Sequence, residues 1–166
     1  MSSVHTTTAI RGRFLDIQNT VAQAREIHDQ VRYVEDGLII TQNGKISWFG
    51  EWEAGQQHIP ENTQIQHYPE QLIVPGFIDT HIHFPQTEMV GAYGEQLLEW
   101  LNTYTFPTEM QFADKNYADK IAQFFVHELL KNGTTTALVF CTVHPQSVDA
   151  LFEAAEQHQM RLIAGK

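Results

Sequence analysis

Residues 72–83, LIVPGFIDTHIH, pass from an apolar stretch through Pro75-Gly76 into a short segment closed by two histidines, His81 and His83. The Pro-Gly break and the apolar and β-branched residues after it predict a strand over 77–83. Side chains on a strand alternate faces with period two. Phe77, Asp79, His81 and His83 are therefore expected on one face, and Ile78, Thr80 and Ile82 on the other. Two imidazoles projecting the same way from neighbouring positions can converge on one divalent ion. Strand-end histidines bonded to backbone or water share this spacing, so H-x-H alone leaves both open. An apolar run, Pro-Gly, a strand and then Asp-x-His-x-His is a far more restrictive pattern.

Downstream, the text alternates between strand and helix. After a long loop, DKNYADKIAQFFVHELLKNG (114–133) places Tyr117, Ile121, Phe124, Phe125 and Leu129 on one helical face. Asp114 is positioned to cap the helix and Gly133 to end it. TTTALVFCT (134–142) reads as a buried strand. PQSVDALFEAAEQHQ (145–159) reads as a second helix with Val148, Leu151, Phe152 and Ala155 inward, and MRLIAGK (160–166) begins a third strand. Such alternation means a parallel sheet with helices packed outside it. In a (β/α)8 barrel the C-terminal ends of the strands carry the chemistry, and His81 and His83 stand at such an end.

Residues 1–74 have a different texture, one of short strands and turns. In GLIITQNGKISWFG (37–50), Asn43-Gly44 supplies the two positive-φ positions of a type I′ turn between apolar strands, which predicts a hairpin. DIQNTVAQAREIHDQ (16–30) is polar and weakly patterned, a connecting loop with one helical turn. The expected fold class is thus α/β. An N-terminal β part (1–74) precedes the first two βα units and third strand of a TIM-type barrel (75–166). A whole barrel takes about 250 residues, so the barrel is expected to be incomplete here.

Composition bounds the function. The chain has 166 residues, 20 acidic against 10 Lys and Arg, and a net charge of −10. Such a chain repels a phosphate backbone, so no nucleic-acid polymer is expected as partner. No apolar run approaches the ~20 residues that span a bilayer, so no membrane partner is expected either. The N-terminus shows no apolar signal core, and a cytoplasmic location is the expectation. The single cysteine, Cys141, rules out a disulfide framework and Cys-rich zinc modules. It also rules out the deaminase design built on P-C-x-x-C.

VPGFIDTHIH resembles the first barrel strand of the amidohydrolase superfamily of metal-dependent hydrolases. THIHFPQTEMVGAYGEQLLEWLNTYTFPTEMQF (80–112) and LLKNGTTTALVFCTVHP (129–145) narrow the resemblance to the guanine deaminases within it. The likeness runs from about residue 8 to Lys166 and is most specific between 72 and 144. The LLEWLNTYTFP loop discriminates better than the histidines, which many amidohydrolases share.

That resemblance implies hydrolytic deamination of guanine to xanthine and ammonia, with zinc as the one divalent ion. His81 and His83 would be two of its ligands. Gln86 would contact the purine edge, along which an amide can both donate and accept. Trp100 and Leu101, with Tyr104 and Phe106, would help wall the pocket. From its place two residues deeper on the same strand face, Asp79 is expected to orient the site without binding the metal. His144, at the end of the second strand beside Pro145, is a weaker candidate whose expected role is helix entry. Cys141 is expected to be a buried strand residue. In the family the remaining metal ligands and the proton-shuttling glutamate come from later strands, and none lies in this chain. No catalytic acid or base is therefore assigned within it. The chain is expected to be a fragment that is inactive alone, with the complete protein a homodimer. The competing expectations are an amidohydrolase acting on a related ring (cytosine, adenosine-type or chlorotriazine) and a non-catalytic assembly module.

Overall fold

The computed structural model describes residues 6–19, 24–94 and 96–165. The chain divides into two compact units, Met1–Pro75 and Gly76–Lys166.

The first unit is built on one four-stranded sheet in the order β3-β2-β1-β4. Its strands are β1 (Thr7–Ile17), β2 (Val31–Gln42), β3 (Lys45–Glu51) and β4 (Ile65–Ile73). β1–β2 and β2–β3 are antiparallel, and β4 runs parallel to β1. The β2–β3 turn is the expected hairpin, with Asn43 at φ 52° and Gly44 at φ 76°. That pair of positive values matches the right-handed twist of the flanking strands. β1 and β2, at 11 and 12 residues, are longer than the short strands expected. The 16–30 stretch contains a 3-10 helix, Ala24–Gln30, and residues 20–23 of that stretch lie outside the described residues. Ala9, Leu38 and Ile40 form one core cluster, covered by Trp48, Trp52 and Ile59, and Phe14 and Val34 are buried as well. Trp52 opens the short helix α1 (Trp52–Gly55) and also receives the Arg11 guanidinium 4.2 Å above its ring. Arg11 in turn pairs with Asp36 at 2.6 Å.

The second unit is a parallel sheet in sequence order, β5 (Phe77–His83), β6 (Thr134–Phe140) and β7 (Arg161–Gly165). Between β5 and β6 lie two short helices, α2 (Leu97–Trp100) and α3 (Phe106–Met110), and then the long α4 (Lys115–Lys131). α5 (Pro145–Gln157) connects β6 to β7. The region expected as a long loop is therefore mostly helical turns. It includes a 3-10 segment, Phe84–Met89, and a π-helical segment, Leu101–Thr105.

Asp114 caps α4 as expected, accepting from the Asn116 N–H at 2.9 Å, and Gly133 follows the helix at φ 87°. The buried faces differ from expectation. α4 buries Ala118, Ile121, Ala122, Phe125 and Val126, while Phe124 is 55% exposed. α5 buries Ser147, Ala150, Leu151, Ala154 and Ala155, while Phe152 is 43% exposed. The buried stripe on each helix is rich in alanines, which let α4 and α5 pack closely on each other as well as on the sheet. Phe124 and Phe152 stand to one side of it, while Phe125 and Leu151 lie within it. On β6 and β7, Ala137, Val139, Leu162 and Ala164 face this helical core, while the intervening Leu138 and Ile163 are exposed. Among the described residues, no helix is long and apolar enough to cross a membrane.

Candidate active site

The histidine pair closes β5, whose partner β6 lies parallel to it. Between Asp79 and Ile82 β5 advances three residues while β6 advances two, from Ala137 to Val139. The extra residue is a β-bulge, which breaks the ladder and re-aims side chains. The uniform alternation expected across 77–83 is therefore not kept. Asp79 answers the disturbance locally: its Oδ1 accepts from the His81 main-chain N–H at 2.9 Å. Its carboxylate thus holds the backbone of residue 81, where orientation of an imidazole ring was expected.

The two rings nevertheless share a face, because both lie against Phe140. The His81 and His83 ring centroids are 5.0 and 4.9 Å from that of Phe140 and 5.2 Å from each other. Imidazole nitrogens suit zinc and other borderline divalent metals, and two rings this close can serve one ion. The pair thus fits part of a donor set. Among the described residues no group of three or more His, Cys, Asp or Glu side chains is arranged to hold a metal.

After His83 the chain turns sharply through Phe84–Met89. Phe84 is fully buried, edge-on to Phe112 at 5.0 Å and tilted against Phe125 at 5.5 Å. Pro85 preorganises the first turn, and the Thr87 hydroxyl donates to the Phe84 carbonyl at 2.6 Å. Gln86 is left half-buried between these anchors. It lines a cavity of about 720 Å³ together with His81, His83, Thr87 and Trp100, and Phe124 and Phe125 of α4 form part of another wall. That volume is in the range of small-molecule sites.

Trp100 reaches this cavity as a clamp on the preceding loop. Its indole N–H donates to the Ala92 carbonyl at 2.9 Å, and a Cβ on Gly94 would sit 2.6 Å from Trp100. Glycine is therefore required at 94 by close approach. Leu101 is half-buried and lies outside the cavity lining. Tyr104 and Phe106, expected to share the wall, are exposed and lie outside it too. The π-helical turn from Leu101 rotates these positions away from a regular helical face.

His144 stands at the N-cap of α5 ahead of Pro145, the helix-entry position expected. Its main-chain N–H donates to Thr142 Oγ1 at 3.1 Å, and its Nε2 is buried without a hydrogen-bond partner. Cys141, expected as a buried strand residue, instead follows the last residue of β6 and is half-buried, and burial pushes its thiol up to about 11. Glu109 on α3 was not singled out from the sequence. Burial raises its carboxyl above the ordinary range, while the charges of His83 and His144 oppose that rise. The usable signal was one acid, the sole charged residue of TFPTEM, at the end of the discriminating loop.

Residues 72–166 match the amidohydrolase family. Over all 166 residues the chain is 59% identical to guanine deaminase of Escherichia coli (strain K12), covering 38% of that protein. The solved structure of the E. coli guanine deaminase superposes with a TM-score of 0.91 over 96% of this chain and 37% of that one. Guanine deaminase from C. acetobutylicum, solved with guanine bound in its active site, is 27% identical with a TM-score of 0.78, over 97% of this chain and 36% of that one. The chain thus spans somewhat over a third of the length of these relatives. With the family match over more than half its length and the paired histidines at the end of β5, the chain belongs to the amidohydrolase family.

Proposed function

We propose that this chain forms part of a guanine deaminase, a zinc-dependent enzyme that hydrolyses guanine to xanthine and ammonia. The observation that carries this is the 59% identity to a guanine deaminase across the whole chain, which includes the discriminating 97–107 loop. The paired imidazoles beside a cavity of suitable size support it from chemistry alone. In this reading residues 1–74 are part of a composite β-sandwich, and residues 75–166 are the opening βα units of a (β/α)8 barrel. The exposed Leu138 and Ile163 suit a barrel, whose strands are covered on both faces.

His81 and His83 would hold the metal, with Phe140 fixing their rings and Asp79 fixing the backbone at His81. A zinc ion bound there supplies a Lewis acid and lowers the pKa of a bound water toward neutrality. Catalytic zinc takes about three protein ligands, one more than this pair provides. The greater length of the relatives leaves room for it. Gln86 presents a donor and an acceptor to the purine edge, which orients the ring carbon bearing the exocyclic amine. Trp100 holds the 92–94 loop beside the cavity and limits entry of bulk water.

The test is direct. The protein expressed from its own gene is purified, zinc per chain is measured, and guanine loss and xanthine appearance are followed by ultraviolet absorbance. Turnover of guanine, with cytosine, adenosine and a chlorotriazine inert, is the expected result. A zinc-loaded protein that leaves guanine untouched would sink the proposal. Gln86→Ala is expected to raise KM for guanine about tenfold or more, because the purine edge then faces no matched partner.

A further inference from the structure

The turn that carries Gln86 is held at both ends. On its N-terminal side Phe84 is a fully buried plug against Phe112 and Phe125. On its C-terminal side the Tyr117 hydroxyl donates to Glu88 Oε2 at 2.5 Å, joining positions 29 apart in sequence. An O–H donor to a carboxylate is charge-assisted; Glu88 is exposed, and the half-buried Tyr117 supplies the sheltered end of the bond. Tyr117 is itself fixed in the first turn of α4, with its ring edge-on to Phe112 at 5.0 Å and 82°. Phe112 therefore supports both anchors, Phe84 directly and Glu88 through Tyr117. Burial, and secondarily the bond to Glu88, raise the Tyr117 hydroxyl well above its ordinary pKa, so it remains a donor across the neutral range. A second side-chain bond of the turn, Thr87 to the Phe84 carbonyl, is internal to it. The Glu88–Tyr117 bond ties the turn to α4.

We infer that Tyr117 is a positioning residue for the candidate site: through Glu88 it fixes the turn that presents Gln86 to the cavity. Its consequence for guanine rests on the function proposed above. An amide is informative to a purine only in one orientation, since its oxygen accepts and its nitrogen donates. Without this tie the C-terminal end of the turn is held by the buried Met89 alone, the amide gains freedom, and the loss falls on substrate binding before it falls on the chemical step.

Tyr117→Phe removes one oxygen and leaves the ring against Phe112. In the protein expressed from its own gene, KM for guanine is expected to rise about tenfold with kcat within about twofold. Amide hydrogen exchange across residues 84–89 is expected to be at least about fivefold faster. Glu88→Gln keeps an acceptor and should fall between wild type and Tyr117→Phe. In a Gln86→Ala background, Tyr117→Phe should add no further rise in KM, because the two act through one contact. Unchanged exchange at 84–89 would overturn the inference whatever the activity. So would an equal KM penalty with and without Gln86, which marks a general structural role. A wild-type protein without guanine turnover would overturn the function proposed for Gln86 instead, and the exchange measurement would still decide whether Tyr117 holds the turn.

Discussion

The imidazole of His83 lies nearly flat on the ring of Phe140, with centroids 4.9 Å apart and planes at 18°. The two residues are register partners across the parallel β5–β6 ladder, so the contact is built into the strand pairing. Phe140 also touches His81, and one aromatic ring thereby sets the direction of both candidate ligands. Phe140→Leu keeps apolar volume and removes the flat surface. It is expected to weaken zinc binding about tenfold, as loss of a ligand-orienting contact does. The stability cost should stay near 1.5 kcal/mol or less. Chelator competition and urea unfolding measure the two effects. Equal zinc affinity in the variant would show that Phe140 only fills space.

His81→Ala and His83→Ala should each abolish tight zinc binding, at least about 100-fold by chelator competition, and the double variant should be little worse than either single one. His81 is exposed and His83 half-buried at the strand end, so unfolding free energies are expected to stay within about 1 kcal/mol of wild type. Tight zinc binding that survives either substitution would remove the pair from the metal site.

Stability should respond to acid through Asp36. Its hydrogen bonds from the Arg11 guanidinium hold its carboxyl below the ordinary 3.8. A carboxyl depressed in the folded state stabilises above its unfolded pKa, and that contribution is lost as pH falls through the folded value. Asp36→Asn should therefore be less stable than wild type at pH 6, with the gap closing below about pH 4. The pair is part-exposed, so the gap is small and should shrink further in 1 M salt, near which the screening length is about 3 Å. Parallel denaturation curves from pH 6 to 2 check this.

Cys141 should be inert while the protein is folded. Thiolate is the reactive form, and burial pushes this thiol up to about 11, against an unfolded value near 8.5. Alkylation by iodoacetamide at pH 8 should be slow in the native state and rapid in urea, with the native rate climbing towards pH 11. Rapid native labelling at pH 8 would contradict the burial.

Much of this molecule is written locally. The Asn43-Gly44 turn, the Asp114 cap and Gly133 stop of α4, and the strand–helix alternation after Pro75 follow from φ preferences, capping chemistry and periodicity, all of which act within a few residues. The pairing of His81 with His83 was legible for the same reason, and so was the resemblance that led to the amidohydrolase family. Tertiary structure decided what depends on neighbours distant in sequence. The bulge between Asp79 and Ile82 arises from register against β6, which no single-strand period encodes. The buried faces of α4 and α5 take in alanines and leave out Phe124 and Phe152, because packing against each other and the sheet sets which face is covered. Trp100 folds back onto Ala92, Glu109 enters the field of His83 and His144, and Tyr117 reaches Glu88. The sequence by itself determined the β2–β3 hairpin, the alternation of β5 to β7 with α4 and α5, and the histidine pair. Only the folded chain decided what holds them in place, because each of those contacts joins side chains that the backbone brings together from separate elements or turns.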